Sequence, residues 1–395
     1  MHDLRFALRQ LAKSPGFIAV AILILALGVT RLRACTIFVL TDGQRSLFCN
    51  NEDWSNPVTC LWFVPANKDR LGCAYVGFDN GWPQGGVNTA GVAFDWVAGF
   101  VEEWELVPTS PSVPYLYRRM LETCATVPEA IAFFRTYHDN GFSRAKILIA
   151  DRTGASVIIG ASHGQLQIEP AHESRGFGAG RIALARHLAK RPEPVVAMGF
   201  AILKDCRQNG TYATKYSNVF DLTSGDIFLL PLPEQGEVVK LHLASELGKG
   251  AHYYDMPDIR RQLDQAPMPL LRTMQRFYPG DFKSIDDREP GVTARLRDLM
   301  QTLGSALRPE DYTAALWEKL GPKEEELRAF SKRLGRLVSM ALVDRWDEDG
   351  RRHYRYRMEF ENATLLQHFV LEAQDKVAFI QSESVEKPNT GSSSR

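Results

Sequence analysis

Three residues in the N-terminal half of the chain have the types and order of a thiol-dependent acyl-transfer site. Cys35 opens a strand-like segment, Asp53 follows a hairpin, and Asn88 lies in a glycine-rich turn. If every residue before Cys35 is removed, its own α-amino group, with a pKa of about 8, can accept the thiol proton without a histidine. Asp53 would then orient the amine and the thiol, and the side-chain N–H of Asn88 would stabilise the developing oxyanion.

Each of these residues also has a purely structural interpretation. Cys35 could be a buried strand cysteine or a lipid-modified anchor, Asp53 could form a turn, and Asn88 could occupy a left-handed turn position. Asn218, with Tyr216 beside it, is a further candidate, although a Ser-Asn pair in a strand is often structural.

The composition predicts a folded protein that does not bind nucleic acid. Hydrophobic residues make up 45% of the 395 residues, charged residues make up 24%, and the formal net charge is zero. A chain of this length is expected to form two domains in addition to a targeting segment. Without a basic field, nucleic acid is not an expected partner. The sequence does not fix the oligomeric state, and a homo-oligomer is compatible with it.

The six cysteines and nine histidines show no metal-binding spacing. No C-x-x-C pair occurs, which argues against a zinc site or a redox motif. Cys49, Cys60 and Cys73 lie in apolar strand-like text and are predicted to be small buried hydrophobic residues. A disulfide in an exported protein is the alternative. We therefore predict neither a metal nor a cofactor.

The first 34 residues have the composition of an export signal. Basic residues precede an apolar run from Phe17 to Val29, which is shorter than the roughly 20 residues that span a bilayer. Cleavage after Ala34 would leave Cys35 first, so the predicted location is exported, either periplasmic or anchored to a membrane. Two alternatives stay open. The residues ending at Cys35 resemble a lipobox, and the leader up to Val29 resembles the N-terminus of MacB-like ABC permeases, which we interpret as borrowed or mis-joined.

Beyond Cys35 the pattern of strands and helices predicts an α+β fold. Two blocks of hairpins with helices between them predict sheets stacked between helices. A polar, proline-containing segment follows, and then amphipathic helices and alternating strands. After a leader over residues 1–34, the predicted organisation is a catalytic domain at 35–258, a linker at 259–290, a C-terminal helical plus antiparallel-sheet module at 291–384, and a disordered tail at 385–395.

Four segments together resemble the linear amide C–N hydrolases, which include choloylglycine hydrolases, penicillin V acylases and acyl-CoA:6-aminopenicillanate acyltransferases. The segments are Cys35–Phe38, Asn50–Trp54, Gly86–Val92 and Tyr216–Leu222. The resemblance implies an αββα N-terminal-nucleophile sandwich, exposure of the cysteine by autocatalysis or a signal peptidase, and a small-molecule, non-peptide acyl amide as substrate. It assigns Cys35 as nucleophile and base, Asp53 as orienting residue and Asn88 as oxyanion donor.

Two positions depart from the bile-salt hydrolases of that family. Asn50 stands where those enzymes have an arginine, and the stretch Ser174–Arg181 contains no asparagine where they have one. A bile-salt or penicillin V substrate is therefore not expected, and the departures could reduce activity. Two functions follow from the sequence. The chain is either an exported thiol amidase, or a catalytically silent, membrane-tethered protein that keeps residues 1–34 and binds a partner through its C-terminal module.

Overall fold

The structure is a computed structural model that describes residues 35–104, 115–138, 140–232, 237–278, 281–303 and 307–386. The predictions about the leader at residues 1–34 lie outside the described residues, as does the tail from residue 387. Val385 and Glu386, predicted to begin the tail, end a strand instead. The described residues form two compact units. The first lies within Met1–Phe78, Pro83–Pro111 and Met120–Met268, and the second within Asp79–Trp82, Ser112–Arg119 and Pro269–Arg395.

The first unit is built mainly from antiparallel strands. In chain order these are β1 (Thr36–Thr41), β2 (Ser46–Asp53), β3 (Thr59–Val64), β4 (Cys73–Phe78), β5 (Pro83–Asn88), β6 (Ala93–Ala98), β7 (Ala145–Ala150), β8 (Ser156–Ser162), β9 (Gln165–Ala171), β10 (Arg175–Gly178), β11 (Thr214–Asp221), β12 (Asp226–Pro231), β13 (Val239–His242) and β14 (His252–Asp255). The first sheet has the order β10-β1-β2-β11-β12-β13, and the second has the order β14-β3-β4-β5-β6-β7-β8-β9.

Short helices accompany these two sheets. They are α1 (Leu116–Thr123), α2 (Val127–Thr136), α3 (Arg181–Leu188), α4 (Val196–Asp205), α5 (Leu243–Leu247) and α6 (Ile259–Gln262). The start of α2 shows why the sequence is helical there. Thr126 accepts a hydrogen bond from the Glu129 N–H, the Glu129 carboxylate accepts one from the Ala125 N–H, and Pro128 fits the first turn.

The two faces of each strand bury different layers of the first unit. In β1, Ile37 and Val39 belong to the core between the two sheets, while Phe38 and Leu40 pack against α3 and α4. On the second sheet, α1 contacts the face opposite the inter-sheet core, where Leu121 lies over Gly86, and α2 contacts β7 and β8. The order of layers is helix, sheet, sheet, helix, which confirms the predicted αββα sandwich.

The second unit has a sheet of four antiparallel strands, and its longer helices pack on one face of that sheet. Its elements are α7 (Arg272–Gln275), α8 (Pro290–Thr302), α9 (Ala314–Leu320), α10 (Glu324–Leu334), β15 (Leu337–Glu348), β16 (Arg351–Phe360), β17 (Thr364–Leu371) and β18 (Val377–Glu386). Its core joins residues of α8, α9 and α10 to the alternate residues Tyr354, Tyr356 and Met358 of β16. In this unit the longer helices precede the strands along the chain.

The segment expected to be a linker, residues 259–290, is more structured than the sequence suggested. It contains α6 and α7, and its residues Met274, Phe277 and Tyr278 are buried. Two arginines of the second unit's sheet also bond to backbone carbonyls in this segment, Arg355 to Arg272 and Arg357 to Phe282. The change between the two units falls at Met268, ten residues beyond the expected boundary at 258.

Candidate active site

Cys35 lies at the start of β1, in a row of polar side chains that crosses three strands. Its thiol donates to Oε1 of Glu52 at 3.4 Å, and the Tyr216 hydroxyl is 3.5 Å from Oε2 of the same carboxyl group. The antiparallel register explains the row, since Thr36 pairs with Asn51 and Tyr216 pairs with Glu52. The side chains of Cys35, Glu52 and Tyr216 are all buried. The candidate nucleophile therefore has a carboxyl group as its direct partner.

The carboxylate of Asp53 does not reach the thiol, which differs from the expectation. It accepts hydrogen bonds from Thr214 Oγ1 at 2.5 Å and from Gln208 Nε2 at 2.6 Å. Successive side chains of a strand point to opposite faces, so Asp53 and Glu52 cannot both face Cys35. The backbone N–H of Asp53 bonds to the thiol, and its side chain acts on the thiol only through its charge. Glu52, and not the predicted Asp53, is the carboxyl group that contacts the Cys35 thiol.

The side chain of Asn88 is likewise committed away from Cys35. Its Nδ2 donates to the carbonyls of Leu121 and Cys124 at 2.7 and 2.8 Å, and its Oδ1 accepts from the N–H groups of Ala90 and Val92. These bonds use both amide protons and both lone pairs of the side chain. Asn88 thus fixes the turn after β5 to the end of α1, and it has no proton left for an oxyanion.

Asn218 carries a free amide donor in the same layer as Cys35. Asn50 Nδ2 donates to Asn218 Oδ1 at 3.4 Å and lies within reach of Glu52. Among the described residues, Asn218 Nδ2 has no hydrogen-bond partner, although Asn218 is fully buried. A buried, unpaired N–H group is costly in a folded protein unless a ligand or water meets it. The cluster therefore ends in an N–H donor that is available to a substrate.

A third buried carboxylic acid, Asp95, faces this cluster from the second sheet. Ala93 and Val97, two residues before and after it in the sequence, lie on the same face of β6 and belong to the inter-sheet core. Gly85 pairs with Asp95, and a Cβ atom on Gly85 would lie 2.3 Å from Asp95 Oδ2. Glycine at position 85 leaves the room that the Asp95 carboxyl group occupies. Neither carboxyl oxygen of Asp95 has a side-chain hydrogen-bond partner within the described chain, and the backbone N–H of Trp96 lowers its pKa.

Burial controls the protonation of this cluster. It raises the pKa of Glu52 to about 8 and that of Asp53 to about 7, against the opposing hydrogen bonds. Burial and the charge of Glu52 raise the pKa of Asp95 well above its usual value. Burial and the charges of Glu52, Asp53 and Asp95 raise the pKa of the Cys35 thiol in the same way. The Cys35 thiol is therefore held in its protonated form, and none of the described side chains around it is a strong base.

Strand β10 lies directly against Cys35 and contains half of the stretch Ser174–Arg181, which departs from the bile-salt hydrolases. Gly178 pairs with Thr36, and the N–H of Ala179 donates to the Cys35 carbonyl. Gly178 has φ +138°, and a Cβ atom there would lie 2.1 Å from the Cys35 carbonyl oxygen. A residue with a side chain at position 178 would therefore push the backbone of Cys35 out of place.

Replacing Gly178 with alanine should lower the free energy of unfolding by about 3 kcal/mol, because backbone strain and a backbone clash add. Thermal or denaturant unfolding of the variant measures this loss. Gly164→Ala is the matched control, since Gly164 also has positive φ but nothing lies within 4 Å of an added Cβ atom. Equal losses in the two variants would contradict the close approach of β10 to Cys35.

The cysteines, the possible metal ligands and the helices of the described ranges were also subjects of prediction. Cys49, Cys60 and Cys73 are buried thiols, as their apolar contexts predicted. The other three cysteines are also buried, and none of the six forms a disulfide, so the disulfide alternative is not realised. Across the described ranges, no group of three or more His, Cys, Asp or Glu side chains could hold a metal ion. No helix in those ranges is both long enough and apolar enough to cross a membrane.

Comparisons with known proteins were made for both sequence and structure. No family model and no curated protein matches the chain. Among solved structures it is similar to a penicillin V acylase from Agrobacterium tumefaciens, with 14% identity and a TM-score of 0.44 over 55% of this chain and 90% of that one. It is also similar to a mutant form of a conjugated bile acid hydrolase from Clostridium perfringens, with 13% identity and a TM-score of 0.39 over 56% of this chain and 95% of that one.

A third similar structure is the Caenorhabditis elegans ortholog of N-acylethanolamine-hydrolyzing acid amidase, with 14% identity and a TM-score of 0.37 over 48% of this chain and 93% of that one. These likenesses are distant, and the αββα assignment above rests on the sheets and helices of the chain itself. None of the three structures is a MacB-like permease, so the resemblance of the leader stays a prediction.

Proposed function

We propose that the first unit is a hydrolase of small-molecule linear amides, with Cys35 as an N-terminal nucleophile. One observation carries the proposal. Cys35 lies directly before the first residue of β1, a central strand of the αββα sandwich. Its thiol lies in a buried polar cluster whose described side chains are acids, amides and a phenol. Such a thiol needs a base, and removal of the preceding residues would create one at the same residue, its α-amino group. The resemblance of the surrounding motifs to linear amide C–N hydrolases points to the same chemistry.

The proposed reaction has two stages. The α-amine of Cys35 takes the thiol proton, and the thiolate attacks the amide carbonyl to give a tetrahedral intermediate. As the C–N bond breaks, the α-ammonium returns the proton to the departing amine, leaving a thioester on Cys35. Water, deprotonated by the same amine, then attacks the thioester and releases a carboxylic acid and the thiol. No redox partner is required.

The side chains around Cys35 take the following proposed roles. Glu52, bonded to the thiol, orients the nucleophile in place of Asp53. The unpaired Nδ2 group of Asn218 is the side-chain donor proposed for the oxyanion, in place of Asn88, whose protons are used elsewhere. The backbone N–H of Asp53, which acts on the thiol, is a second donor near the reacting atoms. Asn50 hydrogen-bonds to both Glu52 and Asn218 and holds the two side chains in place.

The experiment that tests this function is an assay of the chain that begins at Cys35 on a panel of N-acyl amino acids and acyl lactones. Release of free amine or acid from at least one acyl compound is expected. In Asn218→Ala, kcat should fall by about a hundredfold or more, as for loss of one oxyanion donor. Asn218→Asp, which removes the donor but keeps the shape, should behave in the same way. Unchanged kcat in both variants would remove Asn218 from the site.

We also propose that residues 1–34 are removed during export and that the protein acts outside the cytoplasm. The basic start and the apolar run of the leader support this proposal. The alternative, a silent protein that retains the leader and binds through the second unit, makes the opposite prediction about the first residue of the protein isolated from cells.

A further inference from the structure

The buried acids around Cys35 have no cation to balance them among the described side chains. Glu52 lies on β2, and Asp95 lies on β6 of the facing sheet. The charge of each raises the pKa of the Cys35 thiol, and the charge of Glu52 also raises the pKa of Asp95. The remaining titratable group that faces them is Tyr216 on β11, which is also an acid. The strands beside Asp95 present Gly85 and Leu148, neither of which can ionise.

The only fully buried basic side chain in the described part of the first unit is His252, and it is already paired. Its Nε2 lies 3.1 Å from Oε2 of Glu246, which also binds Lys249 and Tyr254. The Asp95 carboxyl group, 1% exposed, has no side-chain hydrogen-bond partner among the described residues and rests against the bare Cα atom of Gly85. Burying a carboxylate without a partner is costly, so a partner from outside these side chains would be strongly held.

We propose that Asp95 and Glu52 together bind the α-ammonium group that appears at Cys35 when the preceding residues are removed. The Glu52 carboxyl group already contacts the Cys35 side chain, and Asp95 supplies the second oxygen acceptor from the opposite sheet. Asp95 is thus a positioning residue that acts on the reaction through the amine. The inference rests on the proposed function only in requiring a free amino group at Cys35.

The acid pair sets how strongly the amine holds its proton. A neighbouring carboxylate favours the ammonium form and raises the pKa of the amine above its usual value of about 8. The amine of the wild-type chain should therefore become a free base only at alkaline pH. Removing one carboxylate should lower the pKa of the amine by about 1 to 3 units.

The test compares Asp95→Asn with wild type, both beginning at Cys35. The pKa of the α-amine is measured from the pH dependence of its acylation by acetic anhydride, with the N-terminal peptide identified by mass spectrometry. We expect a downward shift of about one unit or more in Asp95→Asn and the same shift in the rising limb of the pH–rate profile. Asp151→Asn, at another buried acid of the first unit, is the control and should leave the amine unchanged.

A second readout is independent of hydrolysis. In a chain whose Cys35 nitrogen is blocked, Glu52 keeps a pKa of about 8 when folded against 4.5 as its ordinary value. Stability should therefore fall as pH rises from about 4.5 to 8, and Asp95→Asn or Asp95→Ala should raise the melting temperature at pH 8. An amine pKa that is unchanged by Asp95→Asn would overturn the inference. Binding of the ammonium group of a substrate by Asp95 and Glu52, in place of the α-ammonium group of Cys35, would also overturn it. Failure to hydrolyse any acyl compound would count against the proposed function alone.

Discussion

Replacing Cys35 with alanine in the chain that begins at this residue should abolish amide hydrolysis while leaving the fold intact. A methyl group cannot form the thioester, and the loss in kcat/KM should be at least about a thousandfold. Cys35→Ser should fold and retain little activity, because a hydroxyl group is a poorer nucleophile with an amine as base. The measurement is kcat/KM on any hydrolysed acyl compound, with circular dichroism and melting temperature to check folding.

Cys49→Ala is the matched control for the loss of a buried thiol. Cys49 lies in the same sheet but on the opposite face of β2, against α3 and α4. Its replacement should lower stability by about 1 kcal/mol and leave kcat/KM close to that of wild type. Full activity in Cys35→Ala would exclude Cys35 as the nucleophile.

Placing one extra residue before Cys35 should reduce activity nearly as much, although every side chain of the site remains. The added residue turns the α-amine of Cys35 into an amide nitrogen, which is not basic. Any free α-amine then belongs to the added residue and lies one residue away from Cys35. Two forms are compared, one beginning at Cys35 and one beginning with a blocked Met before it. The form with the free amine should be active, and its rate should rise with pH through the apparent pKa of the coupled amine and thiol.

The blocked form should show no such rising limb at any pH. Its fold should match that of the active form by circular dichroism, because the strands and the buried side chains of the site are the same in both forms. Equal rates from the two forms would show that the free amine is not needed. That result would remove the protein from the N-terminal-nucleophile class while leaving Cys35 open as an ordinary thiol nucleophile.

The sequence predicted the layers of the first unit well because its strands are strongly patterned. β1 alternates Ile37 and Val39 with Phe38 and Leu40, and both faces are buried, one by a sheet and one by helices. The start of α2 was also recognisable, since Pro128 suits the first turn of a helix by its own chemistry. Local patterns of this kind carry most of the information about elements.

The sequence failed to predict β5 and the role of its neighbour Asp95. The text Pro83–Asn88 has low strand propensity because of its two glycines, yet both are required by packing. A Cβ atom on Gly86 would lie 2.6 Å from the Ala74 carbonyl oxygen, and one on Gly85 would collide with Asp95. Only the paired sheet shows this reason, since the contacts join residues from different strands.

For the candidate site, the sequence named the thiol of Cys35 but did not predict which polar side chain would contact it. The choice between Glu52 and Asp53 depends on the register of the β1–β2 hairpin, in which Ile37 pairs with Asn50. Reading that register from the turn after β1 would have placed residue 52 opposite Cys35. For Asn88 no signal in the sequence could have sufficed, because its partners lie at the end of α1, more than thirty residues away.

The most direct test of the central claim is the mass of the N-terminal peptide of this protein, isolated from the cells that produce it. We predict that the first residue is Cys35 with a free amino group and an unmodified thiol, since only this form has the base that the site otherwise lacks. Recovery of an intact N-terminus that includes residues 1–34, or of an acylated Cys35, would contradict it.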